Sequence, residues 1–146
     1  MHWREATTAD IPLLARMNAA LIEDEGHQNP MELHELGQRM HNWLAGAYTA
    51  VIIEDQGTPV AYALYRRADD GWDGNGIYLR QFFVERATRR RGIGRACIDL
   101  LQQQVWPQGT RITLETLLHN HCALEFFKSL GFREYAMSLE LGGRNK

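Results

Sequence analysis

The sequence predicts an α/β (α+β) fold in which helices cover both faces of a central mixed sheet. Two observations lead to this prediction. Stretches whose apolar residues suit strands and stretches whose apolar residues are spaced three and four apart succeed one another in the order β α α β β β α β α β. One of the apolar strands also runs through a basic, glycine-containing turn directly into a helix. A mixed order of this kind suits a sheet packed between helices.

Length and composition indicate one soluble domain spanning residues 1–146, long enough to bury a real core. Hydrophobic residues make up 45% and charged residues 23%, as in ordinary soluble proteins. No apolar run is long enough to cross a membrane, and the polar start is not expected to be a signal peptide. The two cysteines are expected to be buried free thiols, which suits a reducing cytoplasm. A pI of about 6.3 argues against general nucleic-acid binding.

A short strand and two helices are predicted at the start of the chain. Residues 3–6 are predicted as the strand, and Thr8 as the N-cap of the first helix. The apolar stripe of this helix comprises Ile11, Leu14, Met17 and Leu21. The second helix is expected to begin at 29–32, with Asn29 as cap and Pro30 at the first helical position, and to end at Gly46. Its buried face comprises Leu33, Leu36, Met40, Trp43 and Leu44.

The middle of the chain predicts three strands. Residues 48–53 and 60–65 are apolar runs separated by turn-forming residues, so they should form an antiparallel hairpin. A loop rich in glycine and aspartate over 69–76 leads into a strand at 77–84.

The second half adds two helices and two strands. The helix after the glycine turn presents Ile93, Cys97, Leu100, Leu101 and Val105 on one face. Pro107 and Gly109 end this segment, and 112–118 is predicted as a strand. Asn120 can cap a last helix, with Gly131 at its C-terminal cap position. Residues 132–141 are expected to form a closing strand or one half of a hairpin.

The glycine turn at 89–96 has the chemistry of an anion site. Glycine lets the backbone come close to a ligand and adopt a positive φ. The first turn of a helix has unpaired N–H groups and a partly positive end, and such ends bind phosphate. Five arginines near this turn indicate a multiply charged anion. They are Arg86, Arg89, Arg90, Arg91 and Arg95.

Three nucleotide-binding interpretations compete for this turn, and a solvated, arginine-rich helix start is the alternative without a ligand. A P-loop needs Gly-x-x-x-x-Gly-Lys followed by Ser or Thr, which the chain lacks. A Rossmann fingerprint needs a third glycine where this chain has Cys97, and it belongs at the first strand. The third interpretation is coenzyme A. The string Arg89-x-x-Gly92-x-Gly94 resembles the Arg/Gln-x-x-Gly-x-Gly/Ala signature of the GNAT superfamily of acyl-CoA-dependent N-acetyltransferases.

Two further segments resemble this superfamily, and the likeness covers nearly the whole chain. Asn120-x-x-Ala123 followed by 126–132 is similar to the closing segment of the family, and 79–84 looks like a strand of the polyamine acetyltransferases within it. The resemblance implies a mostly antiparallel, splayed GNAT sheet and acetyl-CoA as cofactor. It implies that the pantetheine arm lies between the strands at 77–84 and 112–118 and bonds to their backbone groups. The implied cofactor-binding residues are Phe82, Phe83, Val84, Arg89, Arg90, Arg91, Gly92, Ile93, Gly94, Arg95, Asn120 and Phe127.

The chemistry that the resemblance implies is direct attack of an amine on the thioester, with a backbone N–H near Phe82 or Phe83 as oxyanion donor. Two positions depart from the family pattern. Phe127 occupies the position at which many members have a Tyr that acts as general acid, and the Phe side chain has no proton to donate. Arg80 and Gln81 replace the acidic pair of the polyamine enzymes. Arginine cannot act as a base and would repel a polyamine.

Glu115 and His119 are the candidate catalytic bases, because their even spacing predicts one face of the strand that borders the splay. Either could orient a water as base, and a structural or surface role is the alternative for each. The acidic stretch at 23–25 could attract a cationic amine or simply form a solvated helix end. No metal site is expected, because the spacing of His34 and His41 does not fit a zinc motif.

The sequence therefore predicts an N-acetyltransferase that moves acetyl from acetyl-CoA to a primary amine of a small molecule or peptide. A CoA-binding sensor with little turnover is the alternative, and a nucleotide-binding protein is a weaker one. Nucleic-acid and membrane partners are not expected. A homodimer is an expected assembly, and the cytoplasm is the expected location.

Overall fold

The computed structural model describes residues 1–26, 31–68, 76–89 and 91–143. Five strands form one sheet in the order β1–β2–β3–β4–β5. The strands are β1 (His2–Glu5), β2 (Thr49–Asp55), β3 (Thr58–Ala68), β4 (Gly76–Val84) and β5 (Arg111–Thr113). The first four are antiparallel neighbours, and β5 lies parallel to β4. The predicted mixed, mostly antiparallel sheet is confirmed.

Four α-helices cover the sheet. They are α1 (Ile11–Asp24), α2 (Leu33–Ala45), α3 (Ile93–Leu100) and α4 (His121–Ser129). Helices α1 and α2 pack on one face of the sheet, while α3 and the aromatic residues of α4 pack on the other. A π-helical turn at Leu101–Val105 extends α3. The prediction of helices on both faces is confirmed.

Strand β2 shows why the sheet is buried on both sides. Val51 and Ile53 lie in the core under α3, whereas Ala50 and Ile52 lie in the core under α1 and α2. Successive side chains of a strand point to opposite faces, so a strand covered on both faces is apolar throughout. This pattern explains the unbroken apolar run that predicted the strand.

Strand β4 contains a bulge at Arg80. Its register against β3 shifts, since Leu64 pairs with Gln81 while Tyr65 pairs with Leu79. Arg80 is therefore the extra residue on β4. A bulge of this kind changes which face the following side chains occupy.

The bulge places Arg80 and Gln81 toward the same side of the sheet. Leu79 before the bulge and Phe82 after it both pack in the core under α3. Arg80 instead reaches the α2 ring of Trp43, and Gln81 accepts a hydrogen bond from the Tyr62 hydroxyl at 2.8 Å. Both polar residues therefore border the α1 and α2 side.

The pairing of β4 with β5 ends early, which opens the splay. Gly76, Ile77 and Tyr78 pair with β5, whose last residue is Thr113. From Leu79 to Val84, this edge of β4 has no strand neighbour in the described part of the chain. The expected splay is present. The strand predicted at 112–118 is wrong beyond Thr113, because the chain leaves the sheet there and turns toward α4.

Two predicted helix starts need correction. Thr7, rather than Thr8, is the capping residue, and it forms a capping box with Asp10 around a 3₁₀ turn. Helix α1 then begins at Ile11. Helix α2 begins at Leu33 with Glu32 as N-cap. The residues predicted to start it, at 29 and 30, lie outside the described residues.

The closing strand predicted at 132–141 is also wrong, because 132–143 has no regular secondary structure. Its apolar residues alternate with polar ones as in a strand, yet Leu139 and Leu141 are 88% and 96% exposed. A strand needs a neighbour to pair its backbone groups. In the part of the chain that the structure describes, no strand lies beside this segment.

Candidate functional site

The glycine turn joins β4 to α3 and leaves open space at the helix start. Gly92 is the N-cap of α3 and has φ 72° and ψ 12°, the left-handed conformation that favours glycine. A Cβ placed on Gly92 would meet nothing within 4 Å. Gly92 has no side chain with which to cap α3, and no capping side chain is found there among the described residues. The first N–H groups of α3 are therefore free to meet an anion.

Gly94 has a packing role beside the turn. A Cβ placed there would lie 3.0 Å from two atoms of the Phe126 ring. Contacts this close are not tolerated without movement of the ring. Glycine at this position therefore lets α4 pack against the start of α3.

Two of the five arginines pair with the acidic end of α1. Arg86 Nη2 lies 2.8 Å from Glu23 Oε1 and 2.7 Å from Asp24 Oδ1. Arg89 also pairs with Asp24 and donates to the Val84 carbonyl at 2.9 Å. Arg86 and Arg89 are thus already paired with acids, and their part in binding an anion stays a prediction. Glu23 and Asp24 are their counter-charges and fix α1 to the turn.

The two remaining arginines that the structure describes, Arg91 and Arg95, flank the start of α3. Arg91 is exposed. Arg95 is exposed and donates through Nη2 to the Ser129 carbonyl at the end of α4, at 2.9 Å. Ile93 is half-buried in the first turn of α3. The predicted contact at position 90 lies outside the described residues.

Aromatic rings form the α3 side of the splay. Phe82 stacks on Phe126 with centroids 6.2 Å apart and planes at 6°, and meets Phe127 edge-on at 6.4 Å. Phe127 also contacts Phe132 at 5.4 Å. Asn120 caps α4 by accepting from the Ala123 N–H at 3.2 Å. Phe127 is thus part of an aromatic cluster beside the gap.

The predicted strand residues 82–84 point to different faces. Val84 lies with Phe82 in the core under α3. Phe83 is buried on the opposite face, with its ring 6.2 Å from that of Tyr62. A Phe83 contact in the gap would therefore involve its backbone, since its side chain packs in the core under α1 and α2.

Glu115 and His119 both border the splay, but they do not share a strand face. Both follow β5, which ends at Thr113. The exposed Glu115 accepts a hydrogen bond from the Tyr78 hydroxyl at 3.1 Å. The exposed His119 lies in the turn before α4, and its Nε2 is 3.3 Å from the Glu25 carbonyl oxygen. Both contacts lie toward the side that α1 and α2 cover.

Sequence reasoning missed a group of arginines and aromatic rings on this side, which we call the cationic wall. It comprises Arg39, Trp43, Tyr48, Arg66 and Arg80. The Arg39 and Arg80 guanidinium carbons lie 4.6 and 4.8 Å from the centre of the Trp43 ring. Tyr48 Oη accepts from Arg80 Nη1 at 3.2 Å and from Arg66 Nε at 3.3 Å. In the sequence, the departure from the family pattern at Arg80 was the signal that could have indicated this group. The residues around Arg80 could not be predicted from it, because the bulge decides toward which side of the sheet its side chain points.

The cysteines and histidines form no second reactive centre in the described part of the chain. Cys97 is buried, as expected, and burial raises its pKa to about 12, whereas Cys122 is exposed, contrary to expectation. Among the described residues no three His, Cys, Asp or Glu side chains could hold a metal together. His34 and His41 line a groove of about 600 Å³ between α1 and α2, outside the splay.

Comparison with known proteins places this geometry among acetyltransferases. Residues 14–132 match the model of the acetyltransferase (GNAT) family. Thialysine N-ε-acetyltransferase from Sus scrofa is 28% identical over 141 residues, covering 90% of this chain and 83% of that protein.

Two solved structures share the fold. A possible acetyltransferase from Clostridium difficile 630 superposes with a TM-score of 0.76 at 18% identity, covering 99% of this chain and 98% of the other. Aminoglycoside N-acetyltransferase AAC(6')-Iy, solved in complex with CoA, superposes with a TM-score of 0.74 at 16% identity, covering 99% of this chain and 95% of the other.

In the described part of this chain no helix is both long and apolar enough to span a membrane.

The glycine turn generates the first prediction. Gly92→Asp should abolish binding of CoA, because its side chain would enter the open space at the helix start and add a negative charge there. Gly57→Asp is the matched control, since Gly57 also has a positive φ, 81°, and open space, but lies in the β2–β3 turn. Calorimetry with CoA measures both. Wild-type affinity in folded Gly92→Asp would contradict the assignment.

Proposed function

The chain belongs to the acetyltransferase (GNAT) family, which uses acetyl-CoA, and from that premise we propose that it transfers acetyl to a primary amine by direct attack in a ternary complex. The acceptor is a small-molecule or peptide amine. The observation that supports this proposal is the unpaired edge of β4, Leu79–Val84, beside the open start of α3. Together they offer donors for an extended amide-containing arm and for its phosphates.

The described residues fit acetyl-CoA in both parts of this site. Gly92 leaves the first N–H groups of α3 uncovered, and Arg91 and Arg95 add positive charge. Phe82 and Phe127 provide an apolar side for the arm. When bound, acetyl-CoA supplies an acyl group activated as a thioester.

The contribution of β4 is alignment and hydrogen bonding. N–H groups near Phe82 or Phe83 would face the acyl oxygen if the arm lies along this edge. Fixed donors that meet developing negative charge typically contribute about 3–4 kcal/mol to transition-state stabilisation. Holding amine and acyl carbon together adds the advantage of proximity.

The proton of the amine needs a separate route. Glu115 and His119 border the splay, and either can hold a water that accepts this proton. Phe127 cannot protonate the leaving sulfur. A free thiol has a pKa of about 8.5, so the sulfur can leave as a thiolate without an acid.

A second candidate is a CoA-binding module with little turnover. Two features favour this module, because neither supplies an acid or a base. They are Phe127, which lies in an aromatic cluster, and the Arg80–Gln81 pair on β4. Turnover separates the two functions. Thiol release from acetyl-CoA across a panel of primary amines should reveal at least one acceptor that accelerates release well above hydrolysis. Binding of CoA without accelerated release would favour the module.

Substitution of the two candidate bases tests the proton route. If His119 holds the water that accepts the proton, His119→Ala should lower kcat/KM. If Glu115 holds it, Glu115→Gln should slow the reaction. Wild-type rates in both folded variants would exclude both residues.

We further propose that the chain forms a homodimer through 133–141, named the tail, and that it works in the cytoplasm. The tail has the alternation of a half-buried strand but exposes Leu139 and Leu141. A second copy can offer its own tail or sheet edge as a neighbour and bury these residues. Two free thiols, one exposed, suit a reducing compartment.

Sedimentation tests the dimer. The wild type should sediment at about twice the 16.8 kDa chain mass. Leu139→Asp should shift the protein to monomer, because a charge would have to be buried. Ser138→Asp places the same charge on the opposite face of the tail and should leave the dimer intact. A monomeric wild type, or a dimeric Leu139→Asp, would contradict the proposal.

A further inference from the structure

The cationic wall gathers arginines that have no ion-paired acid among the residues that the structure describes. Arg39 and Arg80 share the Trp43 ring, and Arg80 and Arg66 share the Tyr48 hydroxyl. Among the described residues, neither Arg39 nor Arg80 has a carboxylate within ion-pair distance. Arg86 and Arg89, at the glycine turn, are instead paired with acids. Within the described residues, the wall is thus a part of this site whose arginines have no ion-paired carboxylate.

Burial makes the positive charge of the cationic wall more costly near Arg39 and Asn18. Asn18 is fully buried, and its Oδ1 accepts from Arg39 Nη2 at 3.0 Å. Asn18 Nδ2 and Arg39 Nε are both buried and have no hydrogen-bond partner among the described residues. Burial, and then the charge of Arg80, lower the pKa of Arg39. Like charges held close in a partly buried site repel each other, and a bound anion relieves that repulsion.

We infer that Arg80, supported by Arg39 behind Trp43, binds a carboxylate on the acceptor, so that the amine substrate is an ω-amino acid or resembles one. This inference rests on the proposed transfer to an amine. Arginine suits the role because its planar guanidinium can meet both carboxylate oxygens. A diamine would instead bring a second positive charge against Arg80.

The position of Arg80 on β4 indicates how long the acceptor molecule should be. Phe82 and Phe83, whose backbone lies on the splayed edge, follow Arg80 by two and three residues. A strand rises about 3.3 Å per residue, so these positions are roughly 7–10 Å apart. An acceptor whose carboxylate and amine are separated by a distance of this order can place its amine at the acyl group while its carboxylate stays at the wall.

A series of acceptors that differ only at the far end tests the inference. The acceptors are ω-amino acids, unbranched alkylamines and α,ω-diamines, each with three to six methylene groups. For the wild type, kcat/KM should be highest for an ω-amino acid and lowest for the diamine of matching length. The kcat/KM for the ω-amino acid should exceed that for the alkylamine by roughly 10- to 100-fold, as expected for a hydrogen bond between charged groups.

Substitution of Arg80 tests whether this residue causes the preference for an acceptor with a carboxylate. Arg80→Gln should raise KM for the ω-amino acid by roughly 10- to 100-fold with little change in kcat, since the lost contact is uniform binding. It should also remove the preference over the alkylamine. Arg80→Lys should retain part of the preference, because the charge remains. Arg16→Gln, which removes an arginine from the exposed side of α1, is the charge-matched control.

Each result has a distinct meaning. Equal kcat/KM for the three far ends, or a preference for the diamine, would overturn the inference and leave acetyl transfer standing. An unchanged preference in Arg80→Gln would overturn the role of Arg80. If no amine in the series is acetylated, calorimetry with the same compounds on the CoA-saturated protein decides. Equal affinity for the three compounds there would also overturn the inference.

Discussion

The unpaired edge of β4 is the feature on which the rest of this structure depends. Pairing with β5 ends at Tyr78, and in the described part of the chain no strand lies on that edge of β4 from Leu79 to Val84. Backbone N–H and C=O groups need partners when water is excluded, so this edge offers groups with which a bound ligand can pair. An extended ligand arm with amide groups is the chemical equivalent of a missing strand. The glycine turn follows directly and places a helix start at one end of the same gap.

The bulge at Arg80 gives the gap two different sides. Before and after it, apolar residues of β4 face α3, where Phe82 joins the rings of α4. At the bulge, Arg80 and Gln81 both turn toward α1 and α2. One side of the gap is therefore aromatic and apolar, and the other is polar and positively charged. One inserted residue thus separates the side that we propose for the cofactor arm from the side that we propose for the acceptor.

Much of the fold could be predicted from the sequence, because periodicity and glycine positions are local properties. The strand, turn and helix around Gly92 are local in this sense, and so is the β2–β3 hairpin. The pairing of Arg86 with Asp24 joins residues far apart in the chain, so no local pattern indicated it. The bulge at Arg80 depends on the register against β3. The tail alternates like a strand, but its pattern could not show that no strand of the described part of the chain lies beside it.

Hydrogen exchange at individual backbone amides, with and without acetyl-CoA, tests most directly that the β4 edge holds the cofactor. Amides on this edge between Leu79 and Val84, together with those of Ile93 to Arg95, should exchange more slowly when acetyl-CoA is bound. Amides around Gly37, in the groove between α1 and α2, should be unaffected. Protection at that groove with unchanged exchange along Leu79–Val84 would contradict the placement of the cofactor in the splay.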